Sequence, residues 1–299
     1  MVGFGPAATI AATRDSGQRG VRTRTFADFA AAVPGAAAGR PFRVDHHLML
    51  LVTAGHGRIG VDFVGYPCRP GKLLWVRPGQ VVQCGSTLDA VAITWEPGFL
   101  PPLPVGPWSV DDPFGPVRWR LTGEDQDAVI DEVSQLVVDC GRFAAGETAA
   151  AMLRHQLAVL VLRVAMMPPA GKTPGLTEPT VDGEAYLRFR REIEDCFAES
   201  RRVESYAERL GCSVRTLTRA CLAATGRSAK QVLDDRVALE AKRLLACTDL
   251  PVAVVGERLG FAEPTHFGRF FHREVGCPPG VFRVAVCEGP EPRVARQRA

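Results

Sequence analysis

Residues 252–283, VAVVGERLGFAEPTHFGRFFHREVGCPPGVFR, decide the fold of the C-terminal part of the chain. The stretch opens with apolar residues at helical spacing, Val255 and Leu259, and then breaks at Gly260, where a left-handed turn is cheap only for glycine. Phe267, Phe270 and Phe271 then recur on one face, leaving Thr265, His266, Arg269, His272 and Arg273 on the others. Gly256, four residues before Gly260, is the small residue that two steeply crossing helices need where they touch. The pattern predicts a helix-turn-helix whose second helix is pinned to a core by phenylalanines and carries polar groups outward.

Working upstream, residues 203–226, VESYAERLGCSVRTLTRACLAATG, repeat the arrangement. Ala207 stands four residues before Gly211, and Tyr206, Leu210, Cys212, Leu217 and Ala220 fall on the inner faces of two helices. Ser213 is placed to cap the second. One such pair could belong to any surface helix hairpin; the repeat is the specific signal.

Residues 255–283 resemble the signature of AraC/XylS regulators in Gly260-Phe261, in the Phe267-x-Arg269-x-Phe271 spacing and in the closing Pro279-x-x-x-Arg283. Residues 230–252, KQVLDDRVALEAKRLLACTDLPV, resemble the long helix that joins the two motifs in that family. Two departures stand out. Gly256 replaces the usual Ala, at ~1 kcal/mol of helix propensity, and Leu222, Ala223 and Ala224 replace a commonly charged helix end. The resemblance implies that both second helices enter successive major-groove segments of double-stranded promoter DNA. Its groove-facing positions correspond to Arg215, Thr218 and Arg219 in the first unit and to Pro264, Thr265, Gly268 and Arg269 in the second, with His266 beside them. Arg can fork to guanine O6 and N7, and Thr can meet a thymine methyl. Phosphate clamping is the open alternative for each Arg. RNA polymerase and a second copy of the chain are further implied partners.

The N-terminal part has a different texture. Between residues 42 and 120, short apolar runs such as HLMLLV, GRIGVDFV, KLLWV and AVAITW alternate with Gly or Pro turns, the spacing of a β-sandwich or barrel. Residues 46–83 resemble the cupin-like sensor domain of the same regulators, with turns at Gly71 and at Arg77-Pro78-Gly79. The metal ligands of such barrels are missing: Val82 occupies one position, and the adjacent His46 and His47 point to opposite faces of a strand. A small-molecule effector inside the barrel remains compatible, with one of His46 or His47, and Met49 or Trp75, as candidate lining residues. Helices are expected over 124–140, capped by Thr122 and burying Val129, Ile130, Val133, Leu136 and Val137, and over 148–167. The second is apolar almost all round, so it needs cover on more than one side. Both resemble the family's dimerisation helices, with Leu157 and Leu160 as candidate interface residues; packing against the chain's own barrel is the alternative.

These readings give an α+β protein: a tail (1–20), a cupin-like sensor and dimerisation domain (21–169), a Pro- and Gly-containing linker (170–180), an all-α DNA-binding domain of two helix-turn-helix units joined by a long helix (181–286), and a second tail (287–299). The net charge of +3 lies wholly beyond residue 180, where 20 Lys and Arg face 17 Asp and Glu, against 16 of each before it. Nine cysteines without a Cys-x-x-Cys pair argue against a disulfide framework or a zinc knuckle. No signal-peptide pattern is visible, and the apolar run around Arg163 falls short of a membrane span, so a cytoplasmic protein without metal or cofactor is expected. A cupin-type enzyme with a DNA-binding appendage is the competing class, which the missing ligands disfavour. An architectural DNA-binding protein, with a barrel used only to dimerise, is a third reading.

Overall fold

The computed structural model describes residues 20–84, 88–105, 109–143, 146–170 and 181–288. The chain divides near Thr173 and Pro174 into two units. The linker expected at 170–180, Ala170 apart, lies outside the described residues, as do nearly all of the two expected tails.

The first unit is built on two antiparallel sheets followed by two helices. Its strands are β1 (Arg22–Thr25), β2 (Phe42–Arg43), β3 (His47–Ala54), β4 (Gly57–Val61), β5 (Val64–Cys68), β6 (Lys72–Val76), β7 (Val81–Cys84), β8 (Asp89–Trp95) and β9 (Arg118–Arg120), with a short helix α1 (Phe26–Ala31) after β1. One sheet runs β1-β8-β3-β6-β9 and the other β2-β7-β4-β5. The run GRIGVDFV is not one strand: a two-residue hairpin turn at Asp62 and Phe63 splits it into β4 and β5, both residues having positive φ. Asp62 holds that turn, its carboxylate accepting from the Val81 amide at 3.0 Å and from Gln80 Nε2 at 2.9 Å.

Strand β3 is apolar on both sides because both of its faces are covered. Leu48, Leu50 and Val52 join Leu74, Val76, Ala90 and Ala92 in a core shared with Ile59, Val61 and Val82 of the second sheet. The intervening residues turn the other way: His47 pairs across with Trp95, and Met49 with Trp75 and Ile93.

Helices α2 (Glu124–Arg142) and α3 (Glu147–Met166) follow. Thr122 does not cap α2. Gly123, with φ +59°, takes that position without a side-chain bond, and Glu124, Asp125 and Asp127 meet the helix dipole instead. Val129, Val133 and Leu136 are buried as expected, whereas Ile130 and Val137 are each 38% exposed. The two helices are tied by Asp139, which accepts from Gln156, and by Arg163 on Glu132 at 2.6 Å. Helix α3 is covered on one side only: Leu157, Leu160, Val161 and Val164 are buried, while Val159 and Met166 are exposed. Leu157 and Leu160 therefore belong to the interior of the unit and are not free to form an interface between copies. The apolar stretch is also longer than it reads: α3 is long and apolar enough to cross a membrane by length and composition alone, while its Arg163 is paired with Glu132 and Leu153, Leu157 and Leu160 are packed within the fold.

The second unit is all helix: α4 (Val181–Cys196), α5 (Val203–Arg209), α6 (Val214–Thr225), α7 (Ala229–Cys247), α8 (Val252–Arg258), α9 (Pro264–Val275) and α10 (Pro279–Glu288). A single core runs through it, from Phe189 and Tyr206 past Leu233 and Val237 to Phe267 and Phe271. Helix α7 starts on a capping box, Ser228 accepting from the Gln231 amide while Gln231 Oε1 accepts from the Ser228 amide. It is enclosed by its neighbours, so charges are buried along it. Arg236 bridges Glu194 of α4 and Glu240, and Arg243 also reaches Glu240. Removing one partner of such a buried chain strands a charge, which locks α4 onto α7.

Candidate nucleic-acid interface

The two helix-turn-helix units are built alike from their smallest residues upward. In the first, Ala207 is buried at the crossing of α5 and α6, Gly211 takes φ +64° at the turn, and Ser213 Oγ accepts from the Thr216 amide at 3.1 Å to start α6. In the second, Gly260 takes φ +75°, and Pro264 starts α9 after Glu263, which makes no side-chain cap. At the α8–α9 crossing a Cβ on Gly256 would lie 2.9 Å from Phe267 Cβ. The second pair is thus packed more closely than the first, which leaves room for the Ala207 methyl.

Burying Leu217, Ala220 and Cys221 turns a defined stripe of α6 outward. Arg215 and Arg219 are exposed and Thr218 is half-buried. These three positions, with Leu222, recur at i, i+3, i+4 and i+7, so they share one helix face. Leu222 is 50% exposed, an apolar side chain among polar ones. Arg219 is not free: its Nε and Nη2 donate to Asp182 Oδ1 of α4 at 3.1 and 3.0 Å.

Burying Phe267, Phe270 and Phe271 does the same for α9. Pro264, Thr265, His266 and Arg269 are exposed, with His266 Nε2 3.8 Å from Glu263, and Gly268 lies among them where a Cβ would meet open space. Of the other polar residues on α9, Arg273 is held by Glu274 at 2.6 Å and by Asp234 at 3.5 Å. Each of the two outward stripes therefore carries at least one arginine.

The residues singled out for an effector do not gather between the sheets. His47, Met49 and Trp75 are fully buried on the opposite face of the five-stranded sheet, and the inter-sheet space is filled by aliphatic side chains. His46 precedes β3, its Nδ1 2.7 Å from Asp45 and its ring edge-on to Phe29. The face they were not expected to line is aromatic. Trp95 stacks on His47 at 4.8 Å, and Trp75 lies between Trp95 and Trp119. Trp75 Nε1 donates to His47 Nδ1 at 3.2 Å, so the ring proton sits on Nε2 and is donated to Asp111 at 2.7 Å. That tautomer is neutral. Burial pushes His47 below its ordinary range despite Asp111, and the bond from His47 draws the Asp111 carboxyl down. Among the described residues no three His, Cys, Asp or Glu side chains gather to hold a metal.

Sequence reasoning did not find Asp182, 37 residues from Arg219, because no local pattern links them. Leu222 was legible only as a missing charge; its place on the outward stripe follows from helix spacing.

Paired helix-turn-helix units with outward arginine stripes define a helix-turn-helix DNA-binding protein. Residues 206–285 match the family described as Helix-turn-helix domain. The chain is similar to the transcriptional activator RhaS of Escherichia fergusonii, 29% identical over 169 residues that make up 56% of this chain and 58% of that relative. It is also similar to the arabinose operon regulatory protein of Salmonella typhimurium, 26% identical over 83% of this chain and 87% of the relative. Among solved structures, ToxT from Vibrio cholerae matches over 91% of this chain and all of that chain, at 12% identity and a TM-score of 0.44. The helix-turn-helix part of the chain is thus similar to that of AraC-type transcription regulators.

Proposed function

We propose that this protein binds promoter DNA through both helix-turn-helix units at once and regulates transcription in the cytoplasm beside RNA polymerase. The observation that carries the reading is the pair of outward stripes, Arg215-Thr218-Arg219 and Pro264-Thr265-Gly268-Arg269 with His266, held by one continuous core. Helix α7 joins the units and, at 19 residues, is about 28 Å long, comparable with the ~34 Å helical repeat that separates successive major-groove segments on one DNA face. Arg215, Arg219 and Arg269 read bases or clamp phosphates; Pro264 and Gly268 supply shape.

The N-terminal unit acts as a cupin-like sensor for a small-molecule effector. Support comes from its two-sheet architecture and from the hydrogen-bonding groups of His47, Trp75 and Arg77, concentrated among rings. Helices α2 and α3 pair two copies through their exposed sides, where Val137, Val138, Val159 and Met166 lie.

The test is a duplex recovered by the full chain from a randomised library. Replacing a base-reading arginine by Ala costs ~1–3 kcal/mol on that duplex and relaxes one position. A phosphate clamp instead weakens selected and scrambled duplexes alike, with the salt slope smaller by about one. Unchanged affinity in Arg215→Ala, Arg219→Ala and Arg269→Ala, all folded, would place the DNA surface elsewhere.

A further inference from the structure

We infer that Asp182 is a positioning residue for base readout: it holds the Arg219 guanidinium by one edge and leaves the other for a guanine. The inference rests on the reading of α6 as a groove-facing helix. Asp182 lies in the first turn of α4, the helix packed along α6, and accepts both the Nε and the Nη2 hydrogens of Arg219 on a single oxygen. Those two hydrogens form the side edge of the guanidinium. The end edge, Nη1 with the second hydrogen of Nη2, meets no partner among the described residues. That edge is itself a two-donor fork of the kind that matches guanine O6 and N7.

Stability does not explain the pair. Arg219 is 65% exposed and Asp182 31%, and ion pairs so placed contribute little to folding. What the pair does is restrict a long side chain before DNA arrives. Ordering such a side chain on binding costs affinity, and a chain already ordered avoids that cost. The charges act in the same direction. A carboxylate on the DNA-facing side weakens attraction to every phosphate backbone, so it lowers non-specific affinity while the fixed fork favours a guanine. Arg215 and Arg269 have no ion-pair partner among the described residues. The three arginines are therefore unequal, and Arg219 is the one prepared for a base.

The test uses the full chain, the duplex it selects from a randomised library, and a scrambled duplex of equal length. Asp182→Ala should weaken the selected duplex about three- to tenfold and leave the scrambled one unchanged or tighter, a split that a merely structural role would not produce. In an Arg219→Ala background the same change should cost nothing further on the selected duplex. Asp182→Asn, which keeps an accepting oxygen, should recover part of the loss, and it decides the matter if the Ala variant folds poorly. Equal or tighter binding of the selected duplex by Asp182→Ala, with Arg219→Ala still weakening it, would overturn the positioning role while leaving α6 at the DNA. Wild-type binding by Arg219→Ala would overturn the positioning role, and wild-type binding by Arg215→Ala as well would take α6 off the DNA.

Discussion

Replacing Gly256 by Ala tests the packing of the second helix-turn-helix unit, because two effects of known size oppose each other there. Helix propensity favours the change by about 1 kcal/mol, since Gly is the costlier residue in a helix interior. The new Cβ would stand 2.9 Å from Phe267 Cβ, 3.1 Å from Cγ and 3.2 Å from Cδ1. The atom it meets first is fixed to the α9 backbone and cannot swing away. Phe267 is fully buried, with Phe261 at 5.3 Å and Phe271 at 5.9 Å between ring centres. Either α9 moves off α8 or the phenylalanine cluster is compressed, and overpacking of this kind costs about 1–3 kcal/mol. The expected net is a loss of about 1 kcal/mol, together with weaker DNA binding because α9 carries Arg269. Hydrogen exchange of the α8 and α9 amides reads the loss locally, as exchange about fivefold faster. Gly268→Ala is the control: it has the same propensity gain and open space around the new methyl, so exchange in α9 should slow. Slower or unchanged exchange in Gly256→Ala would refute the argument from close approach.

Four further outcomes are expected. Leu157→Glu, at a fully buried site, should unfold the first unit rather than yield a folded monomer. Val159→Glu, 49% exposed on the same helix, should keep the fold and lower the mass seen by light scattering if α3 pairs two copies. His47 is neutral in the fold and held below its ordinary value, with Asp111, Arg77 and His46 facing it. The unfolded chain therefore binds the extra proton first, and stability is lost as pH falls below about 6.5. Thermal midpoints followed by tryptophan fluorescence should drop between about pH 7.5 and 5.5, and His47→Gln should flatten that slope. Leu222 should favour thymine beside the Arg219 contact: replacing single thymines by uracil in the selected duplex, which removes only the methyl, should weaken the wild type more than Leu222→Ala.

The sequence alone determined the parts whose physics is local. The glycines at 211 and 260, the Ser213 cap and the phenylalanine stripe of α9 each follow from backbone preference or helical period, so both helix-turn-helix units are legible in the sequence. The runs of β3, β6 and β8 were readable for the same reason, since a strand buried on both faces is a short apolar run. The tertiary structure decided what depends on a neighbour distant in sequence. Period two places His47 and Leu48 on opposite faces of β3 but does not say which face meets the second sheet. The packing of Ile59, Val61 and Val82 settled that, and put His47, Met49 and Trp75 on the other side. Gly256 reads as a propensity penalty in sequence and as a close contact in space, because Phe267 lies across the crossing. Arg219 reads as a free charge until α4 brings Asp182 to it: pattern fixes the direction a side chain leaves its own helix, and only the fold supplies the group it finds there.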